Sequence, residues 1–306
     1  MEKNYKLGLL YSLSACMLWG FLPIYWKQLQ HVHAFEILAS RFLWSALFVF
    51  FLLVVSRKLT TFINETKFIF SNWKRAICML VAASIITFNW GIFIWAVEAG
   101  RIIETSMGYY INPLVSVLFG MVFLHERLGK LQIAAVICAV IGIGTLIINN
   151  GGLPWISVSL AITFALYGLL KKILPVQALT SIMLETLLIS PLMAYYLYYL
   201  SYNGGNAYQS ADVHTLIFLC CSGIATATPL LLFTASARLL PLNVLGFMQY
   251  ISPSLSLLLG VFVYNEDFTF AYAIAFGWIW FGLILFSWSP VSYTHLRAHE
   301  TSQDLV

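Results

Sequence analysis

Ten long apolar stretches make up most of this 306-residue sequence. Each is close to the ~20 residues that a helix needs to cross the hydrocarbon core of a membrane. Only 9% of the residues are charged, whereas soluble domains have about 25%. The sequence therefore predicts an all-α membrane protein with ten transmembrane helices, at approximately 7–26, 35–55, 75–97, 103–124, 130–149, 153–171, 179–200, 213–236, 241–264 and 270–289.

Lysine and arginine positions predict the orientation of these helices. If the amino terminus is inside the cell, Arg41 lies within the second span and the outer loops carry only Lys27 and Arg101. The inner segments carry the remainder, which are Lys3, Lys6, Arg57, Lys58, Lys67, Lys74, Arg75, Arg127, Lys130, Lys171, Lys172, Arg238 and Arg297. Because positive charge concentrates on the cytoplasmic side, both termini are predicted to be cytoplasmic. The long inner loop at 56–74 is expected to follow the membrane interface.

One segment of the sequence occurs twice. The stretch YINPLVSVLFGMVFLHE at 110–126 aligns without a gap with YISPSLSLLLGVFVYNE at 250–266, at an offset of 140 residues. Earlier in each half, Trp19-Gly20 corresponds to Tyr167-Gly168, and Glu36 to Glu185 at an offset near 149. The sequence thus predicts two related halves.

The predicted halves each contain five helices, at 1–150 and 151–290. Because five is odd, the halves must enter the membrane from opposite sides and form an inverted 5+5 repeat. This architecture is typical of secondary transporters, in which one half closes while the other opens. The polar segment 291–306 is expected to be disordered and not native to the protein, because it resembles read-through into a cloning adapter.

Several motifs resemble those of a known transporter family. They are EILASRFLWS, NWGIFIWAVEAG, ETSMGYYINPLVSVLFGMVFLHERL, YGLLKK, LETLL and GFMQYISPSLSLLLGVFVYNE. Together with the repeat, they resemble the RarD-like branch of the drug/metabolite transporter superfamily, whose members have two EamA domains. The resemblance covers residues 5–288 and implies a permease, but it does not supply a substrate.

Two prolines and two polar stripes stand out in the repeated segment. Pro113 and Pro253 lack an N–H, so both are expected to break their helices. Polar residues next to each proline share one helix face. This face predicts paired walls of a central cavity, although hydrogen bonds between helices would explain it as well. Its residues are Tyr109, Asn112 and Ser116 in the first half, and Gln249, Ser252 and Ser256 in the second.

Four charged side chains inside or at the edge of spans are further candidates, because such groups are costly in a membrane and often functional. Arg41 could anchor an anionic or polar group of a substrate, or pair with Glu36 or Glu104. Glu36 and Glu104 are candidates for a gate or a proton site, or for helix caps. Glu185 could carry a coupling proton, or pair with a neighbouring cation such as Lys171 or Lys172.

Asn89, Trp90 and Trp95 place polar and aromatic groups at membrane depth in the third span. They are expected to line the cavity, with packing between helices as the alternative. Glu126 and Glu266 are expected to mark the ends of the repeated helix at the membrane surface.

The sequence as a whole predicts a secondary permease of the bacterial plasma membrane. It would move a small organic metabolite or drug by alternating access, with proton coupling as a further expectation. No cofactor, metal or nucleic-acid partner is expected, and oligomerisation is not required; the partners are a small-molecule substrate and membrane lipid. The alternatives are a sensor or structural membrane protein, and a membrane-embedded enzyme acting on lipid-linked substrates.

Overall fold

Apolar stretches of this length fold as helices, because a helix satisfies all its backbone hydrogen bonds internally in a membrane. A computed structural model describes residues 2–99, 101–149, 151–152, 155–264 and 269–288, and within these ranges the regular structure is helical. The helices are α1 Glu2–Lys27, α2 Ala34–Val55, α3 Leu59–Phe70, α4 Trp73–Glu98, α5 Ile102–Leu124, α6 Lys130–Asn149, α7 Trp155–Ile173, α8 Ala178–Tyr202, α9 Ala207–Ser210, α10 Val213–Leu239, α11 Leu242–Met248, α12 Ile251–Tyr264 and α13 Phe270–Ser287.

Ten segments of the described chain are long and apolar enough to cross a membrane. Eight are the helices α1, α2, α4, α6, α7, α8, α10 and α13, and one is the Met107–Leu124 part of α5. The tenth runs from Leu242 to Val263 and contains both α11 and α12. The predicted class and number of spans are therefore confirmed. Segment 291–306 and Glu266 lie outside the described residues.

Pro113 does not break its helix, which corrects the sequence prediction. The α5 helix continues from Ile102 to Leu124 with Pro113 inside it. One missing N–H removes a single backbone hydrogen bond, and the turns on either side keep theirs. In the second half, a two-residue interruption at Gln249 and Tyr250 separates α11 from α12, just before Pro253.

Carboxylates from distant parts of the chain accept hydrogen bonds from the first backbone N–H groups of two helices. Glu126 accepts from Leu242 N at 2.6 Å and from Asn243 N at 2.8 Å, at the start of α11. Glu65 on α3 accepts from Gln177 N at 3.1 Å and from the Thr180 hydroxyl, at the start of α8. These carboxylates satisfy donors that have no partner within the helix and favour its positive end.

The helices of the first half pack mainly against those of the second. The closest pairs are α6 with α13, α5 with α7, α1 with α10, and α2 with both α8 and α10. Small residues allow these close approaches. A β-carbon added to Gly223 on α10 would lie only 2.5 Å from the carbonyl oxygen of Trp44 on α2. The pair α2 and α10 therefore touches backbone to backbone beside the main buried cluster.

Candidate functional site

A small cavity of about 20 Å³ lies between α2, α4, α8 and α10. Its walls are mostly apolar, and two charged side chains reach it from different helices, Arg41 from α2 and Glu185 from α8. In this conformation the cavity has room for about one water molecule, so the surrounding helices must separate before a solute can enter. The other lining residues are Phe42, Ser45, Ile86, Trp90, Ile182, Thr186, Thr226, Ala227 and Leu230.

Arg41 is held by two indole rings and one hydroxyl. Its guanidinium carbon lies 4.6 Å from the centre of the Trp26 ring and 4.4 Å from that of Trp90. Its Nε donates a hydrogen bond to Thr226 Oγ1 at 2.9 Å. Cation–π contacts of this kind stabilise a guanidinium that has lost part of its water.

The sequence-based alternative that Arg41 pairs with Glu36 or Glu104 is wrong. Glu104 instead accepts a hydrogen bond from Arg101 Nε at 2.6 Å in an ion pair three residues apart. Glu36 accepts from the backbone N–H of Ala207 at 2.6 Å, at the start of the short helix α9. Both carboxylates are therefore engaged near the predicted outer ends of the spans.

Side-chain hydrogen bonds also join the α9 segment to α2. The Tyr208 hydroxyl donates to Ser40 Oγ at 2.8 Å and accepts from Trp44 Nε1 at 2.9 Å. Burial raises the pKa of the Tyr208 phenol above its usual value, so the phenol stays protonated and can keep donating this hydrogen bond. Together with Glu36, these bonds hold α9 against the end of α2 where the helix begins.

Glu185 is buried in a network of four polar side chains. It forms an ion pair with Lys171 of α7 and accepts a hydrogen bond from the Tyr167 hydroxyl at 3.1 Å. Ser181 contacts both charges, accepting from Lys171 Nζ at 2.7 Å and donating to Glu185 Oε1 at 3.3 Å. Of the two alternatives drawn from the sequence, the structure therefore has Glu185 paired with a lysine. Its role as a proton carrier stays a prediction.

The predicted polar stripe does not form an open wall at its centre. Asn112 Nδ2 donates to Gln249 Oε1 at 2.6 Å, and both residues are buried. Ser116 is also buried, close to Gly246 of α11. These three residues do not line the cavity of this structure, because α5 and α11 approach too closely to leave space; a role for them in substrate binding stays a prediction. They follow the alternative of hydrogen bonding and packing between helices.

The rest of the stripe is more accessible, although it does not line the cavity between α2, α4, α8 and α10. Tyr109 is 50% exposed, with its ring 5.8 Å from that of Phe93. Ser256 donates to the Gly20 carbonyl oxygen at 3.3 Å, and Ser252 is half-buried.

The third-span candidates separate into different roles. Trp90 lines the cavity and contacts Arg41. Asn89 donates to Leu160 O at 3.0 Å and to Thr163 Oγ1 at 2.7 Å, so it links α4 to α7. Trp95 is 44% exposed and packs near Trp155, with ring centres 5.8 Å apart. Asn89 and Trp95 thus match the packing alternative rather than the cavity prediction.

Sequence reasoning missed Trp26 and Thr226, which complete the surroundings of Arg41. Trp26 fitted the aromatic belt at the membrane surface, and Thr226 had no distinguishing neighbour. The available signal was Arg41 itself, because a cation within a span requires nearby groups that stabilise it. No cluster of three or more potential metal ligands occurs within the described ranges.

Comparison with known proteins places this chain among transporters. The model of the EamA-like transporter family matches residues 6–148. An uncharacterized transporter of Vibrio cholerae is 41% identical, covering 94% of this chain and 93% of that protein. Protein RarD of Escherichia coli K12 is 38% identical, and the match covers 96% of this chain and 98% of that protein. A solved crystal structure superposes with a TM-score of 0.70 over 92% of this chain and 95% of that one, at 17% identity, and it supports the fold alone.

Proposed function

This chain belongs to the EamA-like transporter family, in the RarD-like branch of the drug/metabolite transporter superfamily, and from that premise we propose that it is a secondary permease. It moves a small organic metabolite or drug across the bacterial plasma membrane by alternating access. The observation that carries this proposal is the cavity between α2, α4, α8 and α10, with Arg41 and Glu185 in its wall. Those helices are the second and third spans of each proposed half.

Reciprocal contacts support an inverted repeat of residues 1–150 and 151–290. A β-carbon on Gly142 of α6 would lie 2.6 Å from the Ala275 carbonyl oxygen of α13. A β-carbon on Gly282 of α13 would lie 2.9 Å from the Ala135 carbonyl oxygen of α6. Gly282 and Ala275 follow Gly142 and Ala135 at the same offset of 140 residues. Contacts that exchange partners in this way are typical of a two-fold axis.

The pairing of helices supports the same relationship. If α1, α2, α4, α5 and α6 correspond to α7, α8, α10, α11–α12 and α13, each contact between halves that these helices make has a counterpart; the α3–α8 contact lies outside the correspondence. The α5–α7 contact corresponds to α1–α12, α4–α7 to α1–α10, and α2–α10 to α4–α8. The two halves could then exchange roles as the cavity opens to one side or the other. Both termini would face the cytoplasm, as the lysine and arginine distribution favours.

The proposal also includes proton coupling through Glu185. Glu185 lines the cavity, and its only paired cation among the described residues is Lys171. Protonation of Glu185 would leave the Lys171 charge uncompensated in a buried site, which is strongly unfavourable. A proton arriving from the cavity would therefore favour a rearrangement of α7 against α8. This link between protonation and helix packing is what coupling requires.

Transport by reconstituted protein tests the proposal. Proteoliposomes containing the full chain would be screened for uptake of a panel of labelled metabolites and drugs, with and without an inward proton gradient. Uptake above that of protein-free liposomes, enhanced by the gradient, is expected for at least one solute class. If no solute moves under either condition, the permease assignment fails and a sensor or structural role becomes the better interpretation.

A further inference from the structure

The Arg41 guanidinium is a cation with unused hydrogen-bond donors inside the cavity. Thr226 accepts from Nε, and the Trp26 and Trp90 rings flank the group. Its two Nη groups have no hydrogen-bond partner among the described residues. The five N–H donors of arginine form a fixed fork that matches the two oxygens of a carboxylate. Nη1 and Nη2 are therefore the part of the fork that a ligand in the cavity can reach.

The charges around the cavity are not balanced. Glu185 is matched by Lys171 within the buried pair. In the described part of the chain, no carboxylate lies within ion-pair distance of Arg41. Arg41 and Glu185 line the cavity, and Lys171 contacts Glu185 without lining it. The three side chains together carry one net positive charge, which is that of Arg41. An unpaired charge at membrane depth is costly, so a ligand with one negative charge would be stabilised there.

The other residues that line the cavity indicate the chemistry of the uncharged part of that ligand. Next to Arg41 the cavity is lined by Phe42, Ile86, Trp90 and Leu230. These side chains offer an apolar and partly aromatic surface, with the Thr226 hydroxyl committed to Arg41. We propose, resting on the permease function above, that the substrate is a small organic monocarboxylate with an apolar or aromatic body. When the helices separate and the cavity widens during transport, the carboxylate oxygens accept hydrogen bonds from Nη1 and Nη2 of Arg41, and the apolar part of the substrate lies against these side chains.

Binding to the purified full-length protein in detergent tests this assignment with three probes of one shape. Benzoate, benzamide and benzylamine place a carboxylate, a neutral amide or an ammonium on the same ring. We expect benzoate to raise the melting temperature and quench tryptophan fluorescence in a saturable manner, and the other two to bind at least tenfold more weakly. Phenylphosphonate, used at a pH above its second pKa so that it is a dianion, is expected to bind more weakly than benzoate at the same pH. If benzamide or phenylphosphonate binds as tightly as benzoate, the assignment is wrong.

Arg41→Lys keeps the positive charge but removes the fork, so it is expected to weaken benzoate binding at least tenfold. Arg75→Lys is the matched control, because Arg75 also lies over an aromatic ring, that of Phe68 at 3.6 Å, but away from the cavity. Arg75→Lys should bind benzoate as the unaltered protein does. Unchanged benzoate binding by a folded Arg41→Lys variant would overturn the role of the Nη groups. If Arg41→Lys does not fold, the comparison of probes on the unaltered protein still decides the matter.

Uptake into proteoliposomes separates this inference from the permease proposal. If neutral or cationic solutes are transported and Arg41→Lys leaves their uptake intact, the carboxylate inference fails while the permease proposal stands. If benzoate binds through Arg41 but no solute of any charge is transported, the permease proposal fails while the binding site stands.

Discussion

Lys171 on α7 and Glu185 on α8 form an ion pair that is almost completely buried, with 1% and 3% of the two residues exposed. A buried pair of this kind costs desolvation energy that its mutual attraction only partly offsets. Tyr167 and Ser181 supply further hydrogen bonds that help to compensate. The pair therefore joins α7 to α8 beside the cavity. Glu185 thus contributes to the packing of these helices and is also the proposed proton carrier.

Replacing one partner of this pair should lower the stability of the protein much more than replacing both. Glu185→Gln leaves the Lys171 charge buried without a counter-charge, which should lower the free energy of unfolding by about 3–5 kcal/mol. The double replacement Lys171→Met with Glu185→Leu should recover most of that loss. Thermal unfolding in detergent measures both effects.

The same variants distinguish a structural role of Glu185 from a role in proton coupling. If Glu185 carries the proton, the double variant should fold but show no accumulation driven by a proton gradient. Intact gradient-driven accumulation in either folded variant would remove Glu185 from the coupling mechanism.

Cysteine labelling should distinguish the accessible and buried members of the polar stripe. In a background without the five native cysteines, Tyr109→Cys should react with a membrane-impermeant thiol reagent. Asn112→Cys and Ser116→Cys should react far more slowly, because those positions are 6% and 1% exposed. Leu118→Cys is the matched control for lipid exposure, since Leu118 is 48% exposed on the same helix without a charged neighbour. Equal labelling of positions 109, 112 and 116 would contradict the α5–α11 contact.

Removing the Glu126 carboxylate should loosen the start of α11. Glu126→Ala leaves the N–H groups of Leu242 and Asn243 without their acceptor, a loss of about 1 kcal/mol for a helix cap. Hydrogen exchange at these two amides should become faster, while exchange at Gln177 stays unchanged. Glu65→Ala should give the reverse pattern, because Glu65 caps α8. Faster exchange at both helix starts in either variant would indicate general destabilisation instead.

Gly223 should tolerate no side chain. Gly223→Ala would place its β-carbon 2.5 Å from the Trp44 carbonyl oxygen, so α2 and α10 must separate, and overpacking of this kind costs about 1–3 kcal/mol. Gly144→Ala is the matched control, because nothing lies within 4 Å of a β-carbon added there. That control should be neutral or slightly stabilising, since alanine favours a helix more than glycine does. Equal melting temperatures for the two variants would contradict the α2–α10 contact.

Hydropathy was sufficient to predict the helices, because a membrane span must be apolar over about 20 residues whatever it packs against. The partners of polar side chains could not be predicted in the same way. Arg41 reaches Thr226 across 185 positions of the sequence, and Glu126 reaches Leu242 across 116. Such contacts depend on how helices cross, which the pattern of a single helix does not encode.

The repeated segment also shows that contacts between helices could not be predicted from the pattern of one helix. Its stripe of Tyr109, Asn112 and Ser116 was found correctly as a shared polar face. Whether that face meets water or another helix depends on Gly246, which lets α11 approach the Pro113 carbonyl oxygen closely. The two-fold repetition predicted a cavity beside α5 and α11, whereas the cavity of this structure lies beside Arg41. Which of these positions binds a substrate stays a prediction.

The most direct test of transport through the cavity between α2, α4, α8 and α10 is solute uptake after the cavity has been filled. Ala227 is fully buried and lines the cavity, so the larger side chain in Ala227→Phe should block the space that must widen for a solute to bind. Uptake of the best solute from the panel is measured in proteoliposomes containing this variant, with Gly144→Ala protein as the folded control. Uptake should fall to the level of protein-free liposomes in Ala227→Phe and remain unchanged in Gly144→Ala. Full uptake by a folded Ala227→Phe protein would contradict a transport path through this cavity.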